Sequence, residues 1–429
     1  MQSCLCIEFF FRCLLYSFPT TPNHHVVTTR CLCMESTTHA RRIFPAKYEL
    51  YDYQYTAVEF IIRRERRRQK ADQGWYGGAL LVMRMGLGKT LCGLCAVSFS
   101  LARQRIFKQQ TLYITTASLL CPTNEQCIKF FGVDITSFIL NYNISRNHVS
   151  YECMAVIDRR CRLADVVFIS YETLRSIHCS SNPYTRYLFD QVWYRVIMDE
   201  SHNLMTSDTL LYQSVVDLNT ERRIAMTGTV MQSSLADVAN QMDCTNPFGS
   251  RRKPSMDNTD FCYTLRHYTH FVDFDIIDAP LCIEHRETKC TPSLVCVLSE
   301  ILKLYSSVVV FANSTRTLKA VAVCMKQYNV MTLDSGVGIS RRGKIIDRCR
   351  RSCRTRNTIL FASAPVAAQG IDLSFMRSIV FIDTCHYQGQ IIRQCVYRVK
   401  RPGFKHINLH VVCAVKHRRD YEFIRSNLM

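Results

Sequence analysis

The sequence predicts an α/β protein in two lobes, each a mainly parallel sheet flanked by helices. Three observations carry that prediction. Short, continuous apolar runs recur along the chain between stretches of helical length, the pattern of strands buried on both faces. These runs fall into two series with a turn-rich stretch between them, which argues for two sheets. The chain is also long enough: 429 residues, 48% of them hydrophobic, with only 15 glycines and 11 prolines, make packed lobes with little linker.

In chain order, residues 1–44 read as an N-terminal extension. Its most apolar stretch, CLCIEFFFRCLLYSF (4–18), is interrupted by Glu8 and Arg12 and falls short of the ~20 apolar residues of a membrane helix. It has neither a basic leader nor a clear small-residue cleavage site. Met34 opens a polar segment, MESTTHARRIFP, so residues 1–33 are expected to be dispensable or a misassigned start. The first lobe is expected over 45–245, with strands at ALLVM (79–83), TLYIT (111–115), VVFIS (166–170), YRVIM (194–198) and RIAMT (223–227). Residues 246–295 contain TNPFGSRRKPSMDNTD, rich in turn formers and without clear periodicity, and read as a linker or insertion. The second lobe is expected over 296–429, with strands at SVVVF (307–311), TILFA (358–362), SIVFI (378–382) and INLHVV (407–412).

Lys and Arg number 54 against 35 Asp and Glu, a net charge of +19. Such a surface favours a polyanion, nucleic acid first and an anionic membrane second. The 23 cysteines are an odd number in a chain too large for a secreted disulfide scaffold, and read as reduced, small apolar residues. Cys92 and Cys95 form a CxxC, but no second pair or nearby histidines complete a zinc site, so both are expected in the core.

The chemistry concentrates in a few segments. MRMGLGKT (83–90) follows a strand and opens a helix, so backbone N–H groups and a helix N-terminus would face an anionic phosphate. Gly86, Leu87 and Gly88 form the loop. Lys89 would reach the β and γ phosphates, and the Thr90 hydroxyl would ligate Mg²⁺. MDESH (198–202) puts Asp199 and Glu200 at a strand's C-terminal end, where open α/β sheets bind ligands. There Asp199 can hold Mg²⁺ and Glu200 can deprotonate an attacking water. Arg398 and Arg401, in RQCVYRVKRPG (393–403), stand three apart and on a helix share one face.

These motifs, in this order, resemble those of superfamily-two helicases, specifically the Swi/Snf-type ATPases. YELYDYQYTAVEFI (48–61) is similar to their entry motif, TTASLLCPTNEQCIKFF (115–131) to "PxSLLxxWxxEIxKF", FISYETLRS (168–176) to "TSYETL" and MTGTVMQSSLADV (226–238) to "LTGTPIQNxLxDL". VVVFANSTRTLKAV (308–321), LFASAPVAAQGIDLS (360–374) and RQCVYRVKRPG resemble the fourth, fifth and sixth motifs. The resemblance spans roughly 45–425, and the compact build resembles small viral members such as poxvirus nucleoside triphosphatase I.

The resemblance implies two RecA-like lobes with the ATP site in the cleft between them. It implies a nucleic-acid-dependent ATPase with ATP and Mg²⁺, working on nucleic acid, most naturally duplex DNA, inside a cell, in nucleus or cytoplasm or, for a viral protein, in the infected cell or virion. Gln54 would read the adenine, and Arg398 and Arg401 would cross to the γ-phosphate. Gly370 and Asp372 would link the fifth motif to the nucleotide, while Ser118, Ser170, Tyr171, Thr173, Asn313 and Gln369 would line the phosphate-backbone track. Two basic clusters, RRERRR (63–68) and SRRGKIIDRCRRSCRTR (340–356), are expected to touch a duplex. Some positions depart from the pattern: Met83 for the first loop glycine, Arg84 for an acid, Val230 for proline, Tyr397 for glycine, Lys400 for histidine and Phe404 for glutamine. The expectation is a working motor. The alternative is a catalytically weakened nucleic-acid-binding scaffold of the same fold. An unrelated P-loop kinase or GTPase would need neither the TGT segment nor the arginine pair.

Overall fold

The computed structural model describes residues 50–66, 78–103, 110–140, 159–179, 188–231, 234–246, 268–272, 281–288, 290–367, 371–383, 389–400 and 409–428. The chain divides into two compact units, Met1–Phe274 and Asp275–Met429.

In the first unit, α1 (Asp52–Arg66) precedes β1 (Gly78–Met83), α2 (Lys89–Arg103), β2 (Thr111–Thr115), α3 (Leu120–Phe131), β3 (Ser137–Leu140) and β4 (Val166–Ser170). Then come α4 (Tyr171–His178), β5 (Arg195–Asp199), α5 (Leu210–Val216), β6 (Arg223–Thr227), α6 (Leu235–Asp243) and β7 (Thr269–Val272). The strands form one seven-stranded sheet in the order β3-β4-β2-β5-β6-β1-β7, every pairing parallel. The five inner strands are buried at every position, because helices cover both faces; that is why they read as unbroken apolar runs. Leu80, Ile114, Ile169, Met198 and Ala225 build the core on one face. With all strands parallel, their C-terminal ends open on a single rim.

One buried ion pair fastens the helices to this sheet. Arg195, on β5 and 0% exposed, grips both carboxylate oxygens of Glu65 on α1 and donates to Ser100 Oγ on α2 at 2.6 Å. Next to Glu65, Arg64 donates to the Gly78 carbonyl at 2.9 Å and lies 3.9 Å from the centroid of the Tyr268 ring. The expectation that RRERRR offers its cations to a duplex therefore fails at Arg64, which is an internal strut. Residues 67 and 68 lie outside the described residues.

The second unit contains β8 (Leu281–Glu287), α7 (Thr291–Leu304), β9 (Ser307–Ala312), α8 (Thr315–Cys324), β10 (Asn329–Leu333) and α9 (Ile339–Ser352). It continues with β11 (Thr358–Ser363), α10 (Ala364–Ala367), β12 (Ser378–Asp383), α11 (Gly389–Val399), β13 (Leu409–Val415) and α12 (Arg418–Leu428). Its six strands, again all parallel, run β10-β11-β9-β12-β13-β8. The stretch 246–295 supplies an edge strand to each sheet, β7 and β8. No helix among the described residues is long and apolar enough to cross a membrane.

Candidate active site

The phosphate loop leaves β1 at Met83, which is 0% exposed. Met83 is still strand and core, so a methionine serves where the consensus has its first glycine. Beyond it the chain turns sharply. Gly86 and Gly88 both adopt φ 88, a left-handed backbone that glycine takes without penalty, and α2 then begins at Lys89. Gln54 packs against this turn: it is 5% exposed, and its Nε2 donates to the Leu87 carbonyl at 3.0 Å. A Cβ at Gly88 would stand 2.5 Å from that nitrogen. Sequence motifs thirty residues apart are thus one piece of structure.

Across the rim, Asp199 ends β5. Its Oδ2 accepts from Thr90 Oγ1 at 3.2 Å and from Tyr113 OH at 2.9 Å, and its Oδ1 accepts from the Glu200 amide at 3.0 Å. Asp199 is 2% exposed. Burial pushes its pKa up to about 6, the nearby Glu200 charge adding to the rise while Lys89, Tyr113 and Thr90 oppose it. Glu200 lies in left-handed backbone, φ 53 and ψ 49, and its Oε2 is 3.4 Å from His202 Nδ1. Gly228 of the TGT segment completes the cluster, since a Cβ there would lie 3.3 Å from Lys89 Nζ and 3.2 Å from Met85 Cγ. The lysine occupies the room that this glycine leaves.

Two residues that the motifs did not flag belong to the site. Tyr113, buried mid-strand in TLYIT, holds Asp199; a tyrosine inside an apolar strand needs a partner for its hydroxyl, and that need was the available signal. Gln241, on α6 and 0% exposed, accepts from Ser201 Oγ at 2.9 Å and donates to the Val230 carbonyl at 2.7 Å. It links the acid-pair turn to the TGT segment, and only backbone is needed at Val230. No sequence pattern marks Gln241.

The expected nucleic-acid residues divide. Ser118 is half-buried, its hydroxyl 3.2 Å from Thr116 Oγ1. Ser170 caps α4, accepting from the Thr173 amide at 3.1 Å, and Ser170, Tyr171 and Thr173 are all buried. A phosphate at this helix start would meet backbone amides rather than these side chains. The Tyr171 hydroxyl is buried without a hydrogen-bond partner; burial raises its pKa, and the charge of Asp199 adds to the rise. Cys92 and Cys95 are buried thiols in α2, the Cys92 pKa pushed up to about 12 by burial.

In the second unit, Arg398 is 7% exposed and its carbonyl accepts from the Leu373 amide at 2.9 Å. The middle of the sixth motif is thereby tied to the fifth. Helix α11 runs unbroken through Tyr397 to Val399. Asp372, expected at the nucleotide, accepts from Arg350 Nη2 at 3.0 Å and from the Ser374 amide at 3.1 Å. Asn313 is half-buried just past β9. Gln369, Gly370, Arg401 and Phe404 lie outside the described residues.

Two all-parallel sheets, one carrying a glycine loop, lysine and strand-end acids on its rim, have the build of the two-lobed helicase-type ATPases. The fold recurs in Mycobacterium smegmatis helicase Lhr bound to ssDNA and AMP-PNP, with a TM-score of 0.59 at 16% identity over 89% of this chain and 47% of that one. Within that class, residues 53–253 match the SNF2-related domain, and the resemblance to Swi/Snf-type ATPases read from the motifs holds. Among curated proteins, DNA repair protein rhp54 of Schizosaccharomyces pombe is 30% identical over 187 residues, 41% of this chain and 21% of that protein. The DNA repair and recombination protein RAD54-like of Drosophila willistoni is 29% identical over 192 residues, 41% of this chain and 22% of that protein. The match thus spans about a fifth of the length of these curated relatives.

Proposed function

We propose that this chain is an ATP-dependent motor that moves along nucleic acid, duplex DNA in particular, and hydrolyses ATP to ADP and phosphate. One observation carries the reading: Thr90 and Asp199, 109 positions apart, share a hydrogen bond of 3.2 Å beside a loop whose two glycines take left-handed backbone. A hydroxyl and a buried carboxylate offer the oxygen donors that a hard divalent cation selects, so Thr90 and Asp199 fit Mg²⁺. When bound, that ion would neutralise charge on the β and γ phosphates.

In this reading the amides around Gly86, Leu87 and Gly88 cradle the phosphates, Lys89 neutralises them, and Gln54 faces the adenine. Glu200 orients the attacking water and takes its proton. Arg398 and Arg401, from the second unit, meet the charge that develops on the γ-phosphoryl group, with Gly370 and Asp372 relaying the nucleotide state. Lobes at 45–245 and 296–429 act as the moving parts. The nucleic-acid backbone runs over Ser118, the α4 start at Ser170–Thr173, Asn313 and Gln369, contacts that position without reading bases. Relatives named for DNA repair support DNA as the track, and an intracellular site of action follows from such a substrate.

The test is ATP turnover with no nucleic acid, single strands, duplex DNA and RNA, for the wild type, Lys89→Ala and Glu200→Gln. Stimulation by duplex, abolished in both variants, is the expected result. Equal rates in every condition refute the motor, and nucleotide binding without phosphate release leaves a scaffold.

A further inference from the structure

Helix α9 carries an uncompensated line of cations. Arg341, Lys344, Arg348 and Arg351 are all exposed, and at 100° per residue they fall within about 80° of arc on one side of the helix. The opposite side is core, with Ile346 7% and Cys349 0% exposed. Acids beside this helix already have cationic partners: Asp347 and Asp372 lie 3.7 and 3.0 Å from Arg350, on the flank of the helix, and Asp334 lies 3.4 Å from Lys319. Among the described residues no ion pair engages the four outward cations. Arg354 and Arg356, also exposed, extend the charge past the helix end.

We propose that this outward face of α9 docks a nucleic-acid duplex by gripping the phosphates of one strand. This rests on nucleic acid being the partner, and adds a contact surface that none of the motor motifs includes. From Arg341 to Arg351 the helix rises about 15 Å, and one strand of a duplex presents a phosphate every ~3.4 Å of axis. A row of that length can reach several phosphates of one strand. A lipid surface is the weaker fit. Interfacial helices bury aromatic or aliphatic side chains between their cations, whereas among the described side chains of α9, those of residues 341–352, the exposed positions are Arg341, Gly343, Lys344, Asp347, Arg348 and Arg351. The face contains no base-reading geometry, so the contact is sequence-indifferent and strongly salt-dependent.

The test uses the full chain without nucleotide, a labelled duplex, and salt from 50 to 200 mM. The variant Lys344→Gln, Arg348→Gln, Arg351→Gln is compared with the matched control Lys303→Gln, Lys326→Gln, Arg425→Gln, which removes the same charge from exposed positions elsewhere in the same unit. At about 0.9 in log–log slope per phosphate, the α9 variant should lose about 2.7 from its salt slope. Wild type should then lose about 40-fold more affinity across that salt range than the variant. Unstimulated ATP turnover and melting temperature should match wild type, while the control keeps most of the slope. An unchanged slope makes the stripe a solvated face and overturns the proposal, as does an equal drop in the control. So does a variant that binds duplex normally but no longer binds phosphatidylserine vesicles. A wild type that binds no duplex at all fails the functional reading as well, whereas a variant indistinguishable from a binding wild type fails this proposal alone.

Discussion

Replacing Asp199 by Asn separates the stability of the site from its chemistry. The Asp199 pKa is pushed from 3.8 to about 6, first by burial. Between those values the folded protein keeps a proton that the unfolded chain has released, so native stability falls as pH rises from about 4 to about 6, and the penalty stays at higher pH. At 1.36 kcal/mol per pH unit that interval is on the order of 3 kcal/mol. Asn escapes the penalty because it cannot ionise. Its single carbonyl oxygen cannot accept all three hydrogen bonds now made by the carboxylate, and losing one costs about 1 kcal/mol at any pH. The variant should therefore be about 2 kcal/mol more stable than wild type at pH 8 and about 1 kcal/mol less stable at pH 4. Urea unfolding in EDTA, followed by the fluorescence of Trp193, 1% exposed in the same unit, reads the difference directly. A gap between wild type and variant that does not change with pH would refute the reasoning, because burial would then impose no cost on the charge. Turnover should be lost in either case.

Three further outcomes follow from particular contacts. Gly88→Ala imposes a Cβ at φ 88, costing about 1–2 kcal/mol, and crowds Gln54; calorimetric titration should show ATP binding at least tenfold weaker, and unchanged affinity would mean that the loop does not cradle phosphate. Glu65→Ala strands the buried Arg195 guanidinium and should cost about 3–5 kcal/mol in urea unfolding, a loss that replacing both residues by leucine should largely recover. Tyr113→Phe should weaken Mg²⁺-dependent turnover by releasing Asp199, whereas Tyr171→Phe removes a buried hydroxyl that has no partner and should leave melting unchanged or raise stability by about 1 kcal/mol. The reverse ranking would mean that the two tyrosines have been assigned each other's roles.

The four strands that no apolar run announced are β3, β7, β8 and β10, and each stands at the edge of its sheet. An edge strand is covered on fewer sides, so its positions are half-exposed, as in Asn329–Leu333 and Leu281–Glu287; nothing selects a continuous apolar sequence there. The inner strands, walled in by neighbours and helices, could hardly have been spelled otherwise. The same contrast holds in the site. Lys89, Thr90, Asp199 and Gly228 were legible because they stand in segments with a recognisable spacing, and the fold brings them together. Gln241 was not, because many polar residues can bridge two turns and only the fold brings Ser201 and Val230 together. The charge run at 63–68 misled at Arg64 for a related reason: Arg64 and the lone acid beside it, Glu65, turn inward to the Gly78 carbonyl and to Arg195.

The left-handed backbone at Glu200 bears on how the proposed hydrolysis would be disabled. Left-handed dihedrals are comfortable for glycine and asparagine and awkward for glutamate, so two familiar knock-outs differ in more than their head group. Glu200→Gln removes the proposed base while the chain stays wound; Glu200→Gly or Glu200→Asn also lets the spring relax, and should yield an inert protein sturdier than its parent by roughly 1 kcal/mol. A lineage that had ceased to hydrolyse nucleotide would tend to drift toward those two residues at this position. On the proposed function, the residue found there in a sister sequence would gauge whether hydrolysis has been kept.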